Sequence, residues 1–108
     1  MSSEAKDDRH AIEPFRIRGG PDADLTLIRD EITSMPRWRI VTATNNYIHV
    51  ECRSRIFRFV DDLELYLNPS NGIISIRSAS RIGYSDFGAN RRRVELLRSK
   101  LKAKQLIE

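Results

Sequence analysis

The sequence has few of the residues that build disulfides or metal centres. Its 108 residues include one cysteine, Cys52, and two histidines, His10 and His49. A single cysteine allows no intrachain disulfide and no cysteine-based metal site, and it fits a reducing compartment. His49 is the only histidine outside the N-terminal tail, so zinc and non-haem iron have poor support. We predict neither a metal nor a cofactor.

Long apolar runs are also lacking. No stretch approaches the roughly 20 apolar residues that cross a bilayer, and residues 1–10 have no apolar core of a signal peptide. We therefore expect a soluble, cytoplasmic protein. The composition is 40% hydrophobic and 31% charged and shows no repeats, so we expect one folded domain over residues 21–108, preceded by a flexible tail over residues 1–20. Within that tail, residues 15–18 form a short extended piece.

Positive charge is concentrated in the last third of the chain. Residues 1–76 carry 10 Lys and Arg against 12 Asp and Glu, whereas residues 77–108 carry 9 against 3. Of the 19 basic residues, 15 are arginine, which favours planar, bidentate contacts to carboxylates or phosphates. Carboxylates of the protein itself satisfy that preference as well as nucleic acid does.

Two segments have the apolar periodicity of helices. The first is predicted over residues 23–35, with Asp22 or Asp24 as N-cap and Pro36 preventing continuation. The second runs from about residue 90 to about residue 107 and buries a stripe of three residues: Val94, Leu97 and Leu101.

Between the helices, residues 37–53 and 62–78 read as two antiparallel hairpins. Their turns are at Asn45-Asn46 and at residues 68–72, which include a proline and a glycine. Alternation predicts five buried strand residues: Ile48, Val50, Leu63, Leu65 and Ile76. Residues 55–60 are ambiguous between a strand and an irregular crossing. The predicted fold is α+β: a four-stranded antiparallel sheet with two helices on one face, in the order α-β-β-β-β-α.

Three blocks of the sequence resemble a known family. They are YIHVECRS at residues 47–54, FVDDLE at residues 59–64 and RSASRIGYSDFGANRRRVE at residues 77–95. They are similar to the signature of domain-of-unknown-function family 1499 of bacteria and chloroplasts, and the resemblance covers about residues 35–100. The family has no established activity, so the resemblance implies which residues matter and not what they do.

The polar face of the sheet is the first candidate site. Alternation places His49, Glu51 and Arg53 beside Asp62, Glu64 and Tyr66, and near Ser75 and Arg77. One interpretation is a ladder of solvated ion pairs. The other is a polar floor for a ligand, in which Arg53 and Arg77 bind an anionic group. Protons would then be exchanged by the catalytic candidates His49, Glu51 and Asp62.

Asp61 and Asp62 suggest a paired-acid or metal site, but neighbouring strand residues point to opposite faces. If Asp62 joins the polar face, Asp61 opens the strand as a cap or forms a structural salt bridge with an arginine, and we favour these roles over metal binding. Cys52 falls on the apolar side of its strand, where we expect it to pack.

The second candidate site is the segment 78–90, which we predict to be a loop leading into the last helix. Its serines, glycines and surrounding arginines could dock an anion at a helix N-terminus. The ligand-binding candidates are Arg53, Arg77, Ser78, Ser80, Arg81, Ser85, Asp86, Asn90 and Arg92. The structural alternative is that Asp86 or Asn90 caps the helix while Glu95 pairs with an arginine. The segment lacks the Walker and GxGxxG patterns, so nucleotide binding is not indicated.

Three functions remain open. We favour a non-enzymatic binding or accessory module that recognises an anionic ligand or an acidic protein surface through the arginine-rich loop and helix start. An enzyme using His49, a carboxylate and Arg77 on the open face of the sheet is the alternative. Weak nucleic-acid binding by the basic last helix is the third. Convergence of His49, Arg53, Asp62 and Arg77 on one concave pocket would favour a ligand site over an ion-pair ladder.

Overall fold

The structure is a computed structural model that describes residues 12–20, 23–53, 60–80 and 87–108. It contains five strands and two helices among these residues. In chain order the elements are β1 (Phe15–Arg16), α1 (Thr26–Thr33), β2 (Trp38–Ala43), β3 (Tyr47–Arg53), β4 (Val60–Asn68), β5 (Ile73–Ser80) and α2 (Phe87–Ala103).

All five strands form one antiparallel sheet in the order β1-β5-β4-β3-β2. The predicted α+β class and the two hairpins are confirmed, whereas the prediction of four strands is wrong. The additional strand is β1, whose Phe15 pairs with Ile74 and whose Arg16 pairs with Ile73. A strand of two residues leaves no alternation to recognise, and its partner lies far along the sequence.

Residues 12–20, which belong to the predicted tail, contact the body of the fold. Ile12 and Phe15 are buried in the core, and Ile17 forms an isolated bridge with Ile107. Arg98 of α2 also reaches this segment, because its guanidinium donates to the Glu13 carbonyl at 2.6 Å and lies over the Phe15 ring at 4.9 Å. Residues 1–11 lie outside the described part of the chain.

The hydrophobic core lies between one face of the sheet and the two helices. All five strand residues predicted to be buried are confirmed in it, as is the α2 stripe of Val94, Leu97 and Leu101. The residues that alternate with the core residues of β3, β4 and β5 form the opposite face of the sheet, which we call the open face. None of the described helices has the length and apolarity to cross a membrane.

The loop predicted over residues 78–90 is corrected at both ends. Residues 78–80 continue β5, since Ser78 pairs with Leu63 and Ser80 pairs with Asp61. Residues 87–90 already belong to α2, so the helix begins before Asn90 and ends at Ala103 rather than near residue 107. Val60, the last residue of the ambiguous segment, opens β4. The rest of that segment lies in residues 54–59, which are outside the described residues, as are residues 81–86.

Helix α1 is shorter than predicted, and Leu25 rather than Asp24 occupies its N-cap position. Asp22, the other predicted cap, lies outside the described residues. The helix spans Thr26–Thr33, and the Asp24 carboxylate accepts a hydrogen bond from the Thr26 N–H at 3.0 Å. That bond lowers the pKa of Asp24. Asp24 therefore satisfies one of the N–H groups that a helix start leaves unpaired.

Candidate functional site

The register of the sheet arranges the polar side chains of the open face in cross-strand rows. One row consists of His49, Glu64 and Arg77 on β3, β4 and β5. The next row consists of Glu51, Asp62 and Ala79 on the same three strands. The placement predicted from alternation is confirmed, because all these residues belong to the face opposite the core.

His49 and Asp62 form the shortest polar contact on this face among the described residues. The His49 Nε2 and Asp62 Oδ1 atoms are 2.8 Å apart, and both side chains are partly exposed. The contact is diagonal, since His49 lies directly opposite Glu64 rather than Asp62. A carboxylate in this position fixes the orientation of an imidazole ring.

Glu64 lies between a tyrosine and an arginine. Its Oε1 accepts a hydrogen bond from the Tyr47 hydroxyl at 3.2 Å, and its Oε2 is 3.9 Å from Arg77 NH1. Burial, with the neighbouring Glu64 charge as a smaller cause, raises the pKa of Tyr47 to about 12. Tyr47 is therefore a neutral donor to Glu64 at physiological pH.

These side chains surround a concavity, which we call the cleft. It has a volume of about 200 Å³ and is lined by His49, Asp62, Glu64, Arg77 and Ala79. Ala79 lies directly beside Asp62 in the register. The methyl side chain of Ala79 is smaller than the neighbouring side chains. It therefore leaves a space that the charged groups around it enclose.

Glu51 and Arg53 do not line the cleft. Glu51 is buried, and its Oε1 lies 3.8 Å from NH1 of Arg39 on the edge strand β2. Arg53 is exposed at the last position of β3, opposite Val60. Of the four residues whose convergence would favour a ligand site, His49, Asp62 and Arg77 meet at the cleft and Arg53 does not.

The opposite face of the sheet holds a separate polar cluster at the edge of the core. Arg93 donates to Asp61 Oδ2 at 2.8 Å, with 14% and 13% of the two side chains exposed. Arg93 also donates to Asn90 Oδ1 at 2.8 Å, and the buried Ser78 hydroxyl donates to the same oxygen at 2.6 Å. The salt bridge predicted between Asp61 and an arginine is confirmed.

Cys52 lies beside this cluster, with Asp61 directly opposite it on β4. Only 1% of Cys52 is exposed, in agreement with its predicted packing role. Burial raises the pKa of the Cys52 thiol to about 12, although the Arg93 charge acts in the opposite direction. The thiol is therefore protonated at physiological pH and is a poor nucleophile.

The candidates from segment 78–90 do not all lie on one side of the molecule. Arg77 belongs to the open face, whereas Ser78 and Asn90 are buried against each other on the core side, where Ser80 also lies. Arg92 is exposed on α2. Arg81, Ser85 and Asp86 are outside the described residues. Sequence reasoning grouped these residues because they are close in the chain, but strand alternation separates them.

Two residues that line the cleft are missing from the predicted site residues. Alternation placed Glu64 on the polar face together with Asp62 but assigned it no role of its own in the site. Ala79 carries no chemical signal, and only the register with Asp62 reveals it. Within the described ranges, no group of three or more His, Cys, Asp and Glu side chains could hold a metal ion.

A larger groove of about 700 Å³ lies elsewhere on the molecule, where the segment 16–20 faces the turn between β4 and β5. Its Arg16 is already engaged, because Nε is 3.4 Å from a Glu108 carboxylate oxygen and NH1 donates to the Asn71 carbonyl at 3.3 Å. The smaller cleft brings more titratable groups together and is the better candidate for chemistry.

The fold and the cleft together define a small α+β protein with a charged concavity on the open face of an antiparallel sheet. The chain belongs to the family described as protein of unknown function (DUF1499), which it matches over residues 1–101. The resemblance in the three sequence blocks is thereby confirmed, and the match extends it to the N-terminal region. No curated protein and no solved structure matches the chain.

Proposed function

We propose that the protein is a small binding module whose cleft holds a small polar ligand and whose Arg77 contacts an anionic group of that ligand. The observation that carries the proposal is the convergence of His49, Asp62, Glu64 and Arg77, from three neighbouring strands, on one concavity. A ladder of solvated ion pairs does not require such a concavity, whereas a ligand site does.

Arg77 is the arginine best placed for this role. Its side chain is 69% exposed and its contact to Glu64 is long, at 3.9 Å. Arg93 and Arg98, by contrast, are largely buried and hydrogen-bonded to protein groups. A planar guanidinium that lines a cleft, with no short partner among the described residues, can fork a carboxylate or a phosphate.

The size of the cleft limits the ligand. Drug-sized ligands occupy pockets of about 300–1,000 Å³, and the cleft holds about 200 Å³. The ligand, or the part of it that enters the cleft, is therefore a group of few heavy atoms. A folded nucleic acid does not fit into a site of this size.

Catalysis in the same cleft is the second candidate, and the 2.8 Å contact between His49 and Asp62 favours it. An imidazole oriented by a carboxylate is a common proton carrier, and Arg77 would hold an anionic group of the substrate. Glu51, the other predicted catalytic carboxylate, is buried beside Arg39 and takes no part in the proposed catalysis.

Two further proposals, for the rest of the basic last third of the chain, rest mainly on the sequence. Arg92 on α2 is exposed and available to an acidic protein surface, and the lysines near the end of α2 support weak nucleic-acid binding. Neither proposal has a described concavity of its own, so both rank below the cleft. A cytoplasmic location, which the sequence predicted from its lack of long apolar runs and its single cysteine, is likewise a proposal.

A titration followed by NMR tests the binding proposal. Phosphate, small carboxylates and small amino acids would be added to the full chain labelled with ¹⁵N, and amide shifts of β3, β4 and β5 would be followed. We expect Arg77→Ala to weaken binding at least tenfold. Arg39→Ala is the matched control, because Arg39 is on the same face, is 71% exposed and has a similarly long contact to a carboxylate, but lies outside the cleft.

Equal losses in the two variants would mean that Arg77 acts only through the general charge of the face. Shifts that avoid the cleft altogether would place the ligand elsewhere. Either result would overturn the binding proposal.

A further inference from the structure

The charges around the cleft are not those of a site for a simple anion. Two carboxylates, Asp62 and Glu64, face one guanidinium, Arg77. With a neutral His49 the lining carries one net negative charge, and with a protonated His49 it is balanced. A ligand with only negative charge would gain from Arg77 but would be repelled by the two carboxylates.

The contact between Arg77 and Glu64 is also looser than a formed ion pair. Their closest atoms are 3.9 Å apart, whereas charge-assisted hydrogen bonds between such groups measure about 2.7–2.9 Å. Glu64 Oε1 is occupied by the Tyr47 hydroxyl, and Oε2 is the oxygen that faces Arg77. Arg77 and Glu64 therefore each have hydrogen-bonding capacity directed at the cleft.

We propose that the ligand is a zwitterion of the aminocarboxylate class, whose carboxylate binds Arg77 and whose ammonium group binds Glu64. This inference rests on the proposed binding function of the cleft. Arg77, the ligand carboxylate, the ligand ammonium and Glu64 would form a closed square in which positive and negative charges alternate. Every neighbouring pair in that square attracts, which neither an anion nor a cation alone achieves.

The inference assigns different roles to the carboxylates of the cleft. Glu64 contacts the ligand, and Tyr47 holds its other oxygen in place. Asp62 orients His49, whose ring lines the same cleft. Because the cleft is small, the zwitterion has a short side chain or extends its side chain into solvent.

Matched probes separate the zwitterion from its parts. Glycine, alanine and serine would be titrated into the full chain by NMR, each against the amine that lacks its carboxylate and the acid that lacks its amino group. We expect at least one amino acid to bind tenfold more tightly than its amine and its acid. Glu64→Gln should remove that preference while leaving binding of the acid unchanged or stronger.

Glu51→Gln is the matched control, since Glu51 lies on the same face beside an arginine but outside the cleft; it should keep the preference. If the acids bind as tightly as the amino acids and still depend on Arg77, the zwitterion is wrong and the binding function stands. If no probe shows binding that depends on Arg77, both the zwitterionic ligand and the binding function of the cleft are wrong. The zwitterion is also contradicted if phosphate binds to the cleft and none of glycine, alanine and serine does.

Discussion

Asp61 and Asp62 are neighbours in the chain but lie in opposite environments. Asp61 is on the core side of β4 and forms a 2.8 Å contact with Arg93, with both side chains largely buried. Asp62 is on the open face and forms a contact of the same length with His49, with both side chains more exposed. A single step along the strand therefore separates a largely buried ion pair from one that is partly exposed to solvent.

The same contrast applies to the arginines. Arg93 is bonded to two protein side chains, whereas Arg77 reaches one carboxylate at 3.9 Å. Removing one partner of a buried ion pair leaves an uncompensated charge, but removing one partner of an exposed pair leaves a charge that water solvates. The experiments below test this difference between the two faces.

The largest expected effect concerns the Cys52 thiol on the core side. Its pKa rises from the ordinary 9.0 to about 12, so at pH 8 the folded protein has about a thousandth of the thiolate of the unfolded chain. Alkylation of Cys52 by iodoacetamide should therefore be slower in the folded protein than in the unfolded chain by at least about a thousandfold. The reaction that is observed should proceed through unfolding. The loss of the thiol signal over time would be measured at several urea concentrations.

The control places a cysteine one residue further along β3. In a Cys52→Ala background, Arg53→Cys puts a thiol at an exposed position of the other face, where alkylation should be fast without urea. Rapid alkylation of Cys52 in the native protein would contradict its burial. The linkage is also testable: because the folded pKa is raised, the contribution of Cys52 to stability is present below pH 9 and is lost as pH rises toward 12.

The second largest effect is expected from the buried ion pair. Asp61→Ala and Arg93→Ala should each lower the free energy of unfolding by about 3 kcal/mol, because each leaves a largely buried charge unpaired. The double variant should cost less than the sum of the two. Urea unfolding followed by circular dichroism measures all three values. Additive losses would show that the two residues do not act as a pair.

An intermediate effect is expected for Arg98, whose guanidinium joins α2 to the N-terminal segment. It donates to Glu95 and to the Glu13 carbonyl and lies over the Phe15 ring. Arg98→Ala should lower the free energy of unfolding by about 1–2 kcal/mol. Glu95→Gln, which removes only the half-exposed partner, should cost less than about 0.5 kcal/mol. Equal losses would mean that the helical ion pair, and not the N-terminal contact, accounts for the effect.

The smallest stability effect is expected on the open face. Asp62→Asn removes the carboxylate charge beside His49, yet it should change the free energy of unfolding by less than about 1 kcal/mol, because both groups are partly solvated. Urea unfolding followed by circular dichroism measures the change. A loss as large as that of Asp61→Ala would remove the distinction between the faces.

Alternation was the strongest source of correct predictions. It predicted the strands β3 and β4 and their buried side from Ile48, Val50, Leu63 and Leu65. The opposite side is therefore the one on which His49 and Asp62 lie. The hairpins followed from Asn and Gly at the turns, which are local features. Local signals were sufficient because neighbouring strands in this sheet are mostly neighbours in sequence.

The errors arose where a local signal was absent or misleading. Ser78 looked like a loop residue, but it is buried in β5 because Asn90 accepts the hydrogen bond of its hydroxyl. Asn90 looked like a helix cap, but its side chain serves Ser78 and Arg93 from within α2. Ser78 and Asn90 are partners from neighbouring elements, 12 residues apart in the chain, and a residue-by-residue reading cannot supply such a partner.

The pairing of β1 with β5 has a consequence for the order in which the sheet assembles. Phe15 is synthesised early, but its partner Ile74 follows only after the strands β2, β3 and β4 have been made. Joining segments this far apart requires closing a long loop, which is slower than forming a hairpin. Strand β1 therefore leaves the ribosome before the hairpin strands but is among the last to pair, and until then the edge of β5 stays open to other chains.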